Sequence, residues 1–79
     1  MNFEDINFPV YRKYKNNKSY FKIINPRLFE EIQVIGSKKI VKQITANLFP
    51  EMNFIRDLVY DYAARAVEIG AEEYVDAKR

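Results

Sequence analysis

The chain has 79 residues, with 13 Lys and Arg against 11 Asp and Glu, and it contains no histidine and no cysteine. That length makes one small domain over residues 1–79, near the size at which folding buries only about 60% of the unfolded surface. The missing residue types exclude disulfides, zinc held through Cys or His, and Ser-His or Cys-His nucleophiles, while 48% hydrophobic and 15% aromatic residues exclude disorder.

The opening Met1-Asn2-Phe3-Glu4-Asp5 is acidic, with no basic region ahead of an apolar block, so a cytoplasmic protein is expected. Phe8 to Lys15 and Ser19 to Asn25 read as two strands, rich in aromatic and β-branched residues, around Asn16-Asn17-Lys18. Asn25-Pro26 breaks the pairing. Leu28 to Ile35 and Lys39 to Ala46 then form a second pair around Gly36-Ser37. Alternation within these strands places Phe21, Ile23, Ile32 and Val34 together on the face expected to meet a helix, with Val10 and Tyr14 inward and Tyr11 and Lys13 outward.

Leu48-Phe49-Pro50 ends the sheet, since Pro fits the first helical turn. One long helix is expected from about Pro50 to Val75. Its projection gathers Ile55, Leu58, Val59, Tyr62, Ala66 and Ile69 into an ordinary core stripe of about 100°. A second flank of Tyr60, Ala63, Ala64, Val67, Gly70 and Ala71 extends the apolar or weakly polar arc to about 240°. Within it Tyr60, Ala64, Val67, Ala71 and Tyr74 recur at steps of four, three, four and three, the pattern of a helix–helix seam. These five are the expected protein interface. The fold class is therefore α+β: a four-stranded antiparallel meander followed by one long C-terminal helix packed on one face (ββββα).

Little in the residues points to catalysis. Two glycines, Gly36 and Gly70, cannot build a phosphate-cradling loop, and Glu30, Glu31, Asp57 and Asp61 sit in patterns of solvent faces. No cofactor, no metal site and no enzymatic activity are expected. The best functional constellation lies between residues 11 and 27, where Arg12, Lys13, Lys15, Lys18, Lys22 and Arg27 interleave with Tyr11, Tyr14, Tyr20 and Phe21 without an acid. Cations track phosphates and aromatic faces stack on unpaired bases, so Tyr11, Lys13, Lys18, Tyr20, Lys22, Lys38 and Lys39 form a candidate single-strand nucleic-acid surface. Lysines on edge strands also serve as a defence against aggregation.

Charge is unevenly distributed: residues 1–46 hold nine basic against four acidic side chains, and residues 47–79 hold four against seven. The split fits a nucleic-acid surface, or two elements that attract one another within a monomer or across a dimer. In element order alone, ββββα resembles the single-stranded nucleic-acid-binding subunits of the Pur type, a resemblance that implies a dimer and a nucleic-acid partner. The expected function is a small interaction or oligomerisation module, a homodimer or a partner bound through the helix, with single-stranded nucleic-acid binding as the alternative.

Overall fold

The computed structural model describes residues 3–79; Met1 and Asn2 lie outside the described residues. Strands β1 (Val10–Tyr14), β2 (Ser19–Asn25), β3 (Leu28–Ile35) and β4 (Lys38–Thr45) form an antiparallel meander, and helix α1 (Phe49–Tyr60) follows. The expected α+β order is thus present. The chain then adds strand β5 (Ala66–Glu68) and helix α2 (Ala71–Lys78), giving the sheet order β4-β3-β2-β1-β5.

Local chemistry makes the turns. Asn16 accepts the Lys18 N–H on its side-chain oxygen at 2.9 Å, and Asn17 takes φ 61°, a conformation asparagine tolerates. Gly36 has φ 60° at the first central position of the two-residue β3–β4 turn, as a type II′ hairpin requires.

The β2–β3 turn sets the faces of the sheet. Asn25 pairs with Leu28, yet Ile23 pairs with Phe29, so Ile24 is an extra residue on β2. Uninterrupted pairing would have brought Ile32 opposite Phe21. The bulge instead puts Glu31 there and turns Ile32 and Val34 to the opposite face. The grouping of Phe21, Ile23, Ile32 and Val34 on one face is therefore corrected: Phe21 and Ile23 share theirs with Phe29, and Ile32 is buried on the other.

Each face has its own helix. On the Phe21 face, α1 buries Ile55, Leu58 and Val59, and the Phe54 ring lies 5.6 Å from Phe21 and 5.4 Å from Phe29. Burying side chains of this kind stabilises by about 1.5–3 kcal/mol each. The opposite face carries Tyr11, Lys13, Lys22, Glu30 and Ile32, and α2 covers it: Tyr74 is 2% exposed and its ring lies 5.5 Å from Tyr11. A three-layer α/β/α arrangement results, with β5 carrying the chain around the β1 edge from one layer to the other.

The single helix over 50–75 is likewise corrected to α1, β5 and α2. Nothing between Asp61 and Arg65 is a strong helix breaker, so local propensity gives no stop signal. The stop comes from β1, whose outer backbone groups take Ala66–Glu68 as a strand, with Lys15 N donating to Arg65 O at 2.8 Å and Ile69 N to Tyr11 O at 3.4 Å. The 240° apolar arc arises from projecting residues of three elements onto one axis.

Candidate interaction surface

Neither candidate surface of the sequence reading assembles as drawn. The five seam residues are dispersed: Tyr60 ends α1, Ala64 lies in the turn after it, Val67 is in β5, and Ala71 and Tyr74 belong to α2. Tyr60 stacks on Phe3 with centroids 5.6 Å apart and donates its hydroxyl to Asp5 at 2.8 Å. Tyr74 is interior. A two-helix seam needs one continuous helix, and the strand β5 removes it.

The basic and aromatic residues divide into two groups. Tyr11, Lys13, Tyr20 and Lys22 share the α2 face of the sheet, where Tyr11 meets Tyr74 and Lys13 Nζ pairs with Glu73 at 2.7 Å. Glu73 raises the Lys13 pKa above its ordinary value, chiefly through that hydrogen bond. Lys18, Lys38 and Lys39 instead remain exposed at the end shared by the β1–β2 and β3–β4 turns. Of these, Lys39 donates to the Arg79 carbonyl at the end of α2.

Three residues central to the fold were missed as such. Arg12, grouped with the surface cations above, is 9% exposed. Its Nε donates to Leu58 O at 2.9 Å, a second nitrogen to Val59 O at 3.4 Å and a third to Tyr11 O at 2.9 Å, while the guanidinium lies 4.1 Å from the Tyr62 ring centroid. It thereby supplies, from a strand 46 residues away, the cation at the C-terminal end of α1 that the helix's own last turn lacks. Glu30 accepts from the Tyr74 hydroxyl at 2.8 Å and from Lys78 at 2.9 Å. Burial pushes the Glu30 pKa up, but those two hydrogen bonds, with the charges of Lys78 and Lys22, leave it below the usual carboxylate value. Tyr74 is raised far above an ordinary phenol, first by burial and then by Glu30. Tyr62 donates to Glu68, and that hydrogen bond, with burial, raises the Tyr62 pKa. Packing of the two helices on the sheet, absent from any local pattern, brings Arg12 to α1 and Glu30 to Tyr74 and Lys78 of α2.

What remains open is β4. Every residue of this eight-residue edge strand except Ile44 is exposed, including Ile40 at 42% and Val41 at 43%. The two-residue turn makes Ile35 and Lys38 the first hydrogen-bonded pair. Alternation then turns the backbone groups of Lys38, Ile40, Lys42 and Ile44 toward β3 and those of Lys39, Val41, Gln43 and Thr45 outward. Val34 N, which donates to Lys18 O on the β2 side at 2.9 Å, has the parity this requires. At the opposite edge β5 has three residues, and its Ala66 N–H already donates to Tyr62 O at 2.8 Å.

The hollows differ in size. One of about 380 Å³ lies among Phe3, Pro26, Arg27, Phe49, Met52 and Arg56, and Arg56 there pairs with Asp57 at 3.2 Å. The hollow that brings Asp57 and Asp61 together holds about 60 Å³. Among the described residues no three Asp or Glu side chains converge as metal ligands would, and no helix is long and apolar enough to cross a membrane. No protein-family model matches the chain, and no curated protein or solved structure matches it either.

Proposed function

We propose that this is a small non-enzymatic interaction module that receives an extended strand of a partner polypeptide along β4. The carrying observation is the asymmetry of the sheet edges: eight residues, all but Ile44 exposed and turning a row of backbone donors and acceptors outward, against three at β5. Such an edge is a template for strand addition, in which backbone hydrogen bonds give affinity and alternate side chains give register. The Asp57–Asp61 hollow, at about 60 Å³, is too small for a substrate between those two carboxylates, since ordinary small-molecule sites hold roughly 300–1,000 Å³, and this supports the non-enzymatic part for that pair. A chain without cysteine suits a reducing compartment, and we place it in the cytoplasm.

The test uses a soluble peptide carrying the β3 sequence Leu28–Ile35, the natural antiparallel neighbour of β4. Binding is expected to shift the amide resonances of Lys39, Val41, Gln43 and Thr45 selectively. Val41→Pro removes an outward N–H while leaving the β3 ladder intact, so it should abolish the effect. A peptide that perturbs none of these amides at millimolar concentration overturns the reading.

Single-stranded nucleic-acid binding is a second reading, supported by the exposed rim of Lys15, Lys18, Lys38 and Lys39 at one end of the sheet. Binding there would be strongly weakened by salt and indifferent to Tyr11, which lies against Tyr74. Titration of a labelled oligonucleotide at low salt checks it, and absence of binding there removes it.

A further inference from the structure

We propose that the hollow at the start of α1 binds a small organic acid, a single carboxylate on an apolar body. The site lies at the end of the sheet opposite the exposed lysines, where the β2–β3 turn meets the first turns of α1, and it does not depend on the β4 edge. Its volume of about 380 Å³ falls within the roughly 300–1,000 Å³ of ordinary small-molecule sites. Arg27 and Arg56 supply its charge, and among the described residues no Asp or Glu lines it. Phe3, Phe49 and Met52 supply its apolar surface.

Each half of the ligand answers a separate observation. Arg27 is anchored by its backbone: its N–H donates to the Asn25 side chain at 2.8 Å, and its carbonyl accepts from the N–H of buried Ala46 at 2.7 Å. The guanidinium at the end of this anchored residue has no acid partner among the described residues, whereas Arg56 is already balanced by Asp57 at 3.2 Å. The hollow thus carries a single uncompensated positive charge. A carboxylate matches that charge, and its two oxygens fit the guanidinium fork. On the apolar side, Phe49 is 68% exposed, more than any other large hydrophobic side chain among the described residues. Covering it removes apolar surface from water. A bare anion leaves Phe49 wet, and a neutral apolar molecule leaves Arg27 unpaired.

Charge also sets the order of effects. Arg27→Gln removes the uncompensated charge and should weaken binding about tenfold or more. Arg56→Gln removes a cation that Asp57 already holds and should weaken binding only about two- to threefold. Asp57→Asn releases Arg56 to the ligand, so binding should tighten about threefold. Added salt should weaken binding, because both guanidiniums are exposed and their attraction for a carboxylate is screened.

Octanoate is the probe, titrated into the whole chain and followed by amide resonances and calorimetry, beside octanol, octylammonium and inorganic phosphate. Octanoate should shift the amides of Arg27, Phe49, Met52 and Asn53 while leaving those of Val41 and Gln43 in place. It should bind about tenfold more tightly than octanol, and octylammonium should not bind. Arg27→Gln should weaken it and Phe49→Ala should weaken it too, whereas Arg65→Gln should not, since Arg65 lines a separate hollow beside Lys15. Tightening by Asp57→Asn supports the charge assignment in a direction that loss of folding cannot imitate. Equal affinity for octanoate and octanol, equal loss from Arg27→Gln and Arg65→Gln, or unshifted amides at millimolar octanoate overturns the inference. Phosphate binding as tightly as octanoate overturns it as well, because the apolar surface then takes no part.

Discussion

Replacing Arg12 by Met is the sharpest test of how the layers are joined. The substitution keeps the length and most of the apolar stem and removes the guanidinium, which donates to Leu58 O and Val59 O and stacks on Tyr62. Hydrogen bonds from a charged group contribute about 1.5–3 kcal/mol each, and a buried acceptor left without a partner costs about 1–3 kcal/mol. Against this, methionine relieves the several kcal/mol needed to hold a cation out of water. The balance is a loss of about 2–4 kcal/mol, large beside the roughly 4–12 kcal/mol expected for a domain of this size. At about 4–8 °C per kcal/mol, the melting temperature followed by circular dichroism should fall by roughly 10–30 °C. Arg12→Lys keeps the charge but not the fork, and it should lose about 1–2 kcal/mol. A methionine variant within about 0.5 kcal/mol of the parent in urea denaturation, or a lysine variant less stable than the methionine one, would refute the assignment of Arg12 as the cap of α1.

Tyr74→Phe preserves the packing against Tyr11 and removes only the hydroxyl donated to Glu30, so urea denaturation should show a loss of about 1 kcal/mol, whereas Tyr74→Ala should lose about 3–5 kcal/mol. Because the folded pKa of Glu30 lies below its ordinary 4.5, its contribution is present above that pH and is lost as pH falls through the folded value; stability measured from pH 7 down to pH 3 should fall less steeply in Glu30→Gln than in the parent. Tyr14, Tyr60, Tyr62 and Tyr74 are all raised above 10, so an ultraviolet titration should show these four ionising late, with stability declining as pH climbs past 10. Gly36→Ala meets no neighbour within 4 Å but inherits φ 60°, and its unfolding free energy in urea should drop by about 1 kcal/mol from backbone strain alone.

The meander was legible because each strand carries its own alternation and each turn its own chemistry: Asn16-Asn17 and Gly36 mark the reversals whatever the rest of the chain does. The start of α1 was equally local, with Pro50 in the first turn and Glu51 reaching back to the Asn47 and Leu48 N–H groups at 3.1 Å. The candidate surfaces were less legible. Their residue types were sound material for binding, but Lys13 was counted as free while Glu73 holds it, and Tyr74 as outward while it is buried. Burial was also misassigned for Arg12, since a cation within a run of surface cations carries no local mark of an acceptor 46 residues away.

Composition and pattern by themselves determined an α+β fold without cysteine or histidine side chains, built as an antiparallel meander leading into a helix. Tertiary structure decided where that helix stops and which side chains share a face. One extra residue at Ile24 reverses the phase of β3 against β2 and sends Ile32 to the second face, and an apolar residue there requires cover. The unsatisfied edge of β1 draws Ala66–Glu68 out of helix and delivers Tyr74 as that cover. Both events rest on backbone hydrogen bonds between segments distant in the chain, which no periodicity within a segment encodes, and together they leave β4 as the open edge of the molecule.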